Sequence, residues 1–183
     1  MNRTKTRDMV ITALLTALTI LIPIAFSPIR IPVGLSFTAT VAVHVPIMLA
    51  MFISPVSAAM VAIGSGIGFF FSAPLVVALR AMTHVIFAVS GALMVKKLNC
   101  NVTLKLILVW LVTMILHGLF EAAITMWFWF ANDAYPAMVY AESFTVGIGT
   151  LIHHTIDFVI MLGVLAVLSK SKFIDWKFKK ASL

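Results

Sequence analysis

LKLILVWLVTMILHGLFEAAITMWFWFA, residues 104–131, carries only three ionisable side chains: Lys105, His117 and Glu121. An α-helix needs about 20 apolar residues to cross the hydrocarbon of a bilayer, and this run exceeds that length. Its reading decides the fold class, an all-α membrane protein.

Composition agrees. Of the 183 residues, 62% are hydrophobic and 10% charged, and the mean hydropathy is +1.14. Soluble domains are roughly 45–50% apolar, so one soluble core could not hide this much apolar surface. Apolar runs between polar, proline or glycine breaks give six expected transmembrane helices, at 9–26, 37–52, 56–71, 74–95, 104–131 and 145–168. The second and third are the shortest. All six belong to a single domain, residues 1–183.

The basic residues set the expected orientation. Arg3, Lys5 and Arg7 precede the first span, Lys96, Lys97 and Lys105 bracket the loop after the fourth, and Lys170, Lys172, Lys177, Lys179 and Lys180 follow the sixth. Eleven of the thirteen Lys and Arg thus fall on one side of a six-span chain, leaving Arg30 outside and Arg80 within. The positive-inside rule makes both termini cytoplasmic. The net charge of +7 therefore belongs to cytoplasmic flanks, and nucleic acid is not an expected partner. Asp133 and Glu142 fall in an expected outer loop, 132–144, with Trp127, Trp129, Tyr135 and Tyr140 around it as interfacial aromatics. Reading the first span as a cleaved signal peptide would strand this charge pattern. The single Cys100 excludes an intrachain disulfide.

There is no G-x-x-x-x-G-K-[ST] sequence and no soluble stretch long enough for a nucleotide-binding domain, so ATP-driven work needs another subunit. Gly64, Gly66 and Gly68 lie inside an apolar span and suit close helix packing better than a phosphate cradle. Ala58 and Ala62 extend that small-residue face. Ala13 and Ala17 make a second one on the first span, fit for packing or for docking a membrane partner.

Three ionisable pairs spaced four apart then stand out: Arg80 with His84, His117 with Glu121, and His153 with Asp157. That spacing puts both members on one helix face, and each such group costs roughly 2.5–3.5 kcal/mol at mid-bilayer. They mark a buried polar site. Arg80 lies in the outer half of its span, where its planar fork suits a carboxylate. Glu121 needs a cation or a histidine as partner. His44, alone in the second span, reads as structural. The first outer loop, Ser27-Pro28-Ile29-Arg30-Ile31-Pro32-Val33-Gly34-Leu35-Ser36, is stiff and amphipathic, and could cover the site as a lid with Arg30 near a ligand. His153-His154-x-x-Asp157 could in principle ligate a metal with help from His117 or Glu121. Hydrogen bonding to an organic ligand uses the same residues, and no metal or other cofactor is expected.

Three stretches resemble a known family: Lys5-Thr6-Arg7-Asp8-Met9-Val10-Ile11-Thr12-Ala13-Leu14-Leu15-Thr16-Ala17, then Ser36-Phe37-Thr38 through His44-Val45-Pro46 to Phe52-Ile53-Ser54-Pro55, and Leu79-Arg80-Ala81-Met82-Thr83-His84. They are similar to the substrate-binding S-components of energy-coupling factor vitamin transporters, most of all the pantothenate-type and niacin-type members. The resemblance implies a non-enzymatic, multi-pass subunit of the cell membrane that captures a vitamin near the outer face. It also implies docking, through Ala13 and Ala17, onto a shared transmembrane coupling subunit with two cytoplasmic ATPases. Transferred by position, the ligand site comprises Arg30, Phe37, Arg80, His84, Glu121, Thr125, Trp129 and His153. Arg80 and Arg30 favour an anion, with pantothenate placed ahead of niacin, for which Trp127, Trp129 or Phe37 would supply stacking. A cobalt- or nickel-type relative is not expected, because the chain begins Met1-Asn2-Arg3 without a metal-binding histidine. The competing readings are an intramembrane enzyme with a metal among His117, Glu121, His153 and Asp157, and a proton-coupled transporter using Glu121 or Asp157.

Overall fold

A computed structural model describes residues 3–170, with side chains from Lys5 onward. Lys172, Lys177, Lys179 and Lys180 of the orientation argument lie outside the described residues, as does the side chain of Arg3. Seven α-helices, a 3-10 turn at Ser27–Ile29 and one two-stranded hairpin are the elements of the described chain: α1 Arg3–Ala25, β1 Ile31–Val33, β2 Phe37–Ala39, α2 Val45–Ala50, α3 Pro55–Ser72, α4 Leu75–Met82, α5 His84–Lys97, α6 Val102–Ala131 and α7 Pro136–Lys170. Five stretches are long and apolar enough to cross a membrane: Lys5–Ala25, Pro55–Ser72, Leu75–Lys97, Val102–Ala131 and Pro136–Lys170. Their outer faces carry exposed Leu14, Leu18, Phe71, Leu119, Phe144 and Val159, a surface for lipid and not for water.

The departure from six long helices is at 37–52. Pro28, Pro32 and Gly34 break the segment ahead of it, and Thr38, Thr40, Val41 and Val43 favour extended backbone. Helix forms only at Val45–Ala50, where Pro46 sits harmlessly in the first turn. Gly34, at φ +67°, turns the hairpin, which pairs Ile31 with Ala39 and Val33 with Phe37. Irregular backbone at membrane depth survives only if protein satisfies it. Here Asp157 of α7 does so, its Oδ1 accepting from Ala42 N at 2.7 Å and its Oδ2 from His44 N at 3.1 Å. Every residue of α2 is buried.

Helices α1 and α3 run parallel, which follows from the order of their contacts. Thr12 Oγ1 lies 2.9 Å from Ser57 Oγ, and Thr19 Oγ1 donates to Val61 O at 3.0 Å. A Cβ on Gly68 would stand 2.6 Å from Ile20 O. This backbone approach needs a residue without a side chain. Two parallel neighbours require the chain between them, 26–54, to return along the whole bundle, as hairpin, turn and α2. Helix α6 runs antiparallel to both its long neighbours: Lys105 meets Val95 and Glu121 meets His84 of α5, while Thr113 meets His154 and Glu121 meets Thr150 of α7.

Two boundaries also differ from expectation. The fourth span breaks at Thr83, whose Oγ1 donates to Arg80 O at 2.7 Å, between α4 and α5. The expected outer loop 132–144 contracts to a few residues, because α7 begins at Pro136, a proline tolerated in a first helical turn. Glu142 therefore sits on a helix. Its Oε2 accepts from the backbone N–H groups of Leu35 and Ser36 at 3.0 and 2.9 Å, tying α7 to the hairpin.

Candidate functional site

Strand β2, the turn before α2, and α3, α4, α5, α6 and α7 converge on one cavity, whose wall includes Thr38, His44, Arg80, His84, His117, Glu121, Thr150 and His153, with Val43, Phe69, Val77 and Ala81 as its apolar part. Glu121 is the hub. Its Oε2 accepts from Arg80 Nη2 at 2.7 Å and from Thr150 Oγ1 at 2.5 Å, while Oε1 faces His84 Nε2 at 3.2 Å and His117 Nε2 at 3.4 Å. Arg80 and Glu121 are only 3% and 5% exposed. Two opposite charges buried so deeply persist because each meets the other and further hydrogen bonds complete them.

Arg80 has more to give. Its Nη1 donates to Ser36 O in a short contact, Phe37 lies over the guanidinium with its ring centroid 5.7 Å away, and Nε has no hydrogen-bond partner among the described residues. The hairpin end thus covers Arg80. Trp129 Nε1 holds that end by donating to Ser36 Oγ at 2.6 Å, and Glu142 holds it from the other side. A carboxylate reaching Arg80 would replace a neutral carbonyl with a charged acceptor.

Asp157 forms a second hub one layer away. Besides the two backbone N–H groups, it takes His44 Nδ1 at 2.9 Å and faces His153 Nε2 at 3.3 Å. Imidazoles link the two hubs: the His44 ring centroid is 4.7 Å from that of His84, 4.6 Å from His117 and 4.9 Å from His153. All five histidines of the chain meet here, His154 through a 2.9 Å contact with His117 Nδ1.

Among curated proteins, the chain is 36% identical to the niacin transporter NiaX of Lactococcus lactis subsp. cremoris (strain MG1363), across 95% of this chain and 80% of the relative. The chain belongs to the S-component family of vitamin transporters. It is accordingly a multi-pass protein of the cell membrane and a substrate-binding subunit of a transporter, not an enzyme. No family model matches it, and no solved structure gives a significant match.

In this S-component, Arg80, His84, Glu121 and His153 share the cavity wall. Phe37 and Trp129 belong to the cover. Thr125 turns its hydroxyl back onto Glu121 O at 2.8 Å and bears on the site only through that helix turn. Arg30 stands apart from the cavity. Its guanidinium donates to Pro23 O and Ser72 O at 2.9 and 3.0 Å, which closes the carbonyl ends of α1 and α3. Trp127 is 60% exposed and cannot face a buried ligand. Ala13 and Ala17 lie on the exposed face of α1, while Thr12, Leu15 and Thr19 face inward. His44, read as solitary, is instead the most connected imidazole. Its site role was invisible to helical spacing because it sits in a turn, as was that of Thr38 because it sits in β2, while Thr150 on α7 carries no charge to mark it. The His-Val-Pro motif around His44 was the available signal.

Proposed function

We propose that this chain is the niacin-binding subunit of an energy-coupling factor importer. The observation that carries the reading is its identity to a niacin transporter along 95% of its length, and this moves the substrate from pantothenate to niacin. The cavity chemistry fits: Arg80 offers a buried guanidinium to the carboxylate, and the planar imidazoles with Phe69 and Val77 suit a flat aromatic ring better than a flexible chain of amide and hydroxyls. Substrate contacts fall to Arg80, His84, Glu121 and His153, under a cover of Phe37 held by Trp129. Arg30 drops out of the contact set.

Six crossings with cytoplasmic termini belong to the same proposal. The parallel pairing of α1 with α3 supports the crossing by 26–54, and the basic flanks support the orientation. The exposed Ala13 and Ala17 face is then the surface offered to a coupling subunit, with two ATPases supplying the energy.

Calorimetry on the purified full chain tests the substrate. Nicotinate should bind tightly, nicotinamide at least tenfold more weakly for want of a charge-assisted bond worth about 1.5–3 kcal/mol, and pantothenate not measurably. Binding of pantothenate without nicotinate would overturn the assignment.

A further inference from the structure

The hydrogen-bond network assigns the ring protons of His154, His117 and His44. Thr113 Oγ1 donates to Val109 O at 2.7 Å, the ordinary back-bond of a helical threonine, and so accepts from His154 Nε2 at 3.0 Å. With its proton on Nε2, His154 presents a lone pair at Nδ1, which takes the Nδ1–H of His117 at 2.9 Å. His117 Nε2 is then a bare lone pair, buried and without a hydrogen-bond partner among the described residues. His44 reaches the same state by another route, donating Nδ1–H to Asp157 Oδ2 at 2.9 Å. His84 completes the set when Ser65 Oγ, 3.2 Å from its Nδ1, accepts from it.

The lone pairs of His44 and His117 and Glu121 Oε1 therefore converge, and His84 supplies a third lone pair when its proton sits on Nδ1 toward Ser65 Oγ instead of on Nε2, 3.2 Å from Glu121 Oε1. The spacing is that of a coordination shell. Donors held at about 2.0–2.1 Å around a tetrahedral ion stand about 3.3–3.4 Å apart. Glu121 Oε1 lies 3.2 Å from His84 Nε2 and 3.4 Å from His117 Nε2, and one ligand nitrogen from each of His44, His84 and His117 lies within 4.8 Å of the others. The surroundings agree as well. A metal-bound histidine usually gives its other N–H to a carboxylate or similar acceptor, as His44 does to Asp157. Glu121 Oε2 is taken by Arg80 and Thr150, which leaves Oε1, faced by the imidazoles of His84 and His117, as the ligand atom.

We propose that His44, His84, His117 and Glu121 form a binding site for one divalent transition-metal ion of the zinc class, at the floor of the substrate cavity. Nitrogen-rich donors with a single carboxylate suit Zn²⁺, Co²⁺ or Ni²⁺ over Mg²⁺ or Ca²⁺. An ion there would rigidify the histidine wall, and its Lewis acidity would face whatever occupies the cavity.

The test uses the full chain with a non-histidine affinity tag, stripped with EDTA and titrated with Co²⁺. Intense visible bands of tetrahedral cobalt should grow to about one equivalent and disappear on adding Zn²⁺. His44→Ala, His117→Ala and His117→Gln should each abolish them, with size-exclusion and melting profiles identifying the variants that remain folded. Absent or weak octahedral bands in the parent protein overturn the proposal, as do bands that survive in the folded variants. Nicotinate titration of the same stripped and loaded samples separates this site from the substrate assignment: cobalt bound without nicotinate keeps the metal site and removes the niacin reading, and the reverse result does the opposite.

Discussion

Replacing Arg80 by methionine removes the charge from the centre of the cavity while keeping most of the volume. The guanidinium is 3% exposed and contacts Glu121 Oε2 at 2.7 Å, so the single variant strands a buried carboxylate and should lose about 3–5 kcal/mol of stability. That loss would obscure a binding measurement. The double variant Arg80→Met with Glu121→Gln removes both charges, leaves Thr150 with an acceptor, and should recover most of the stability. Its affinity for nicotinate should not recover. The charge-assisted bond to the carboxylate is worth about 1.5–3 kcal/mol, which at 1.4 kcal/mol per decade is roughly 10- to 150-fold in Kd. Thermal melting gives the stability arm and calorimetry the binding arm. A folded double variant that binds nicotinate within about twofold of the parent would refute the role of Arg80.

Three further outcomes follow from particular contacts. Asp157→Ala leaves the half-buried Ala42 N and the buried His44 N and Nδ1 without their acceptor, and should cost about 3–5 kcal/mol in denaturant unfolding; a loss under about 1 kcal/mol would contradict the anchoring role. Gly149→Val places a Cβ 2.8 Å from the Phe37 ring, whereas a Cβ on Gly163 meets nothing within 4 Å, so the first should weaken nicotinate binding by displacing the cover and Gly163→Ala should not. Glu142→Gln trades charged for neutral bonds to Leu35 and Ser36 at a half-buried position, about 1 kcal/mol, and should speed nicotinate release about fivefold in stopped-flow fluorescence.

Membrane class and the buried polar pairs were plain in the sequence because both depend on local composition and on a helical spacing of four. Arg80, His84, His117 and Glu121 do gather, even though Thr83 interrupts the helix that was expected to align the first pair. Two things were not legible. The segment 37–52 is apolar enough for a span, yet its fold depends on Asp157, more than a hundred residues away, accepting the backbone donors of Ala42 and His44. Arg30 looked like a ligand residue by charge and loop position, but only the tertiary meeting of two helix ends gave its guanidinium the carbonyls of Pro23 and Ser72. The carboxylate of Glu142 likewise became a tie for the hairpin only once α7 extended to Pro136.

A structure of the full chain with nicotinate bound tests the central claim most directly. The carboxylate should lie about 2.7–2.9 Å from the guanidinium of Arg80, with Ser36 O displaced from Nη1 and the pyridine ring against His84 and His153. Nicotinate seated elsewhere, with Arg80 still held by Ser36 and Glu121, would contradict it.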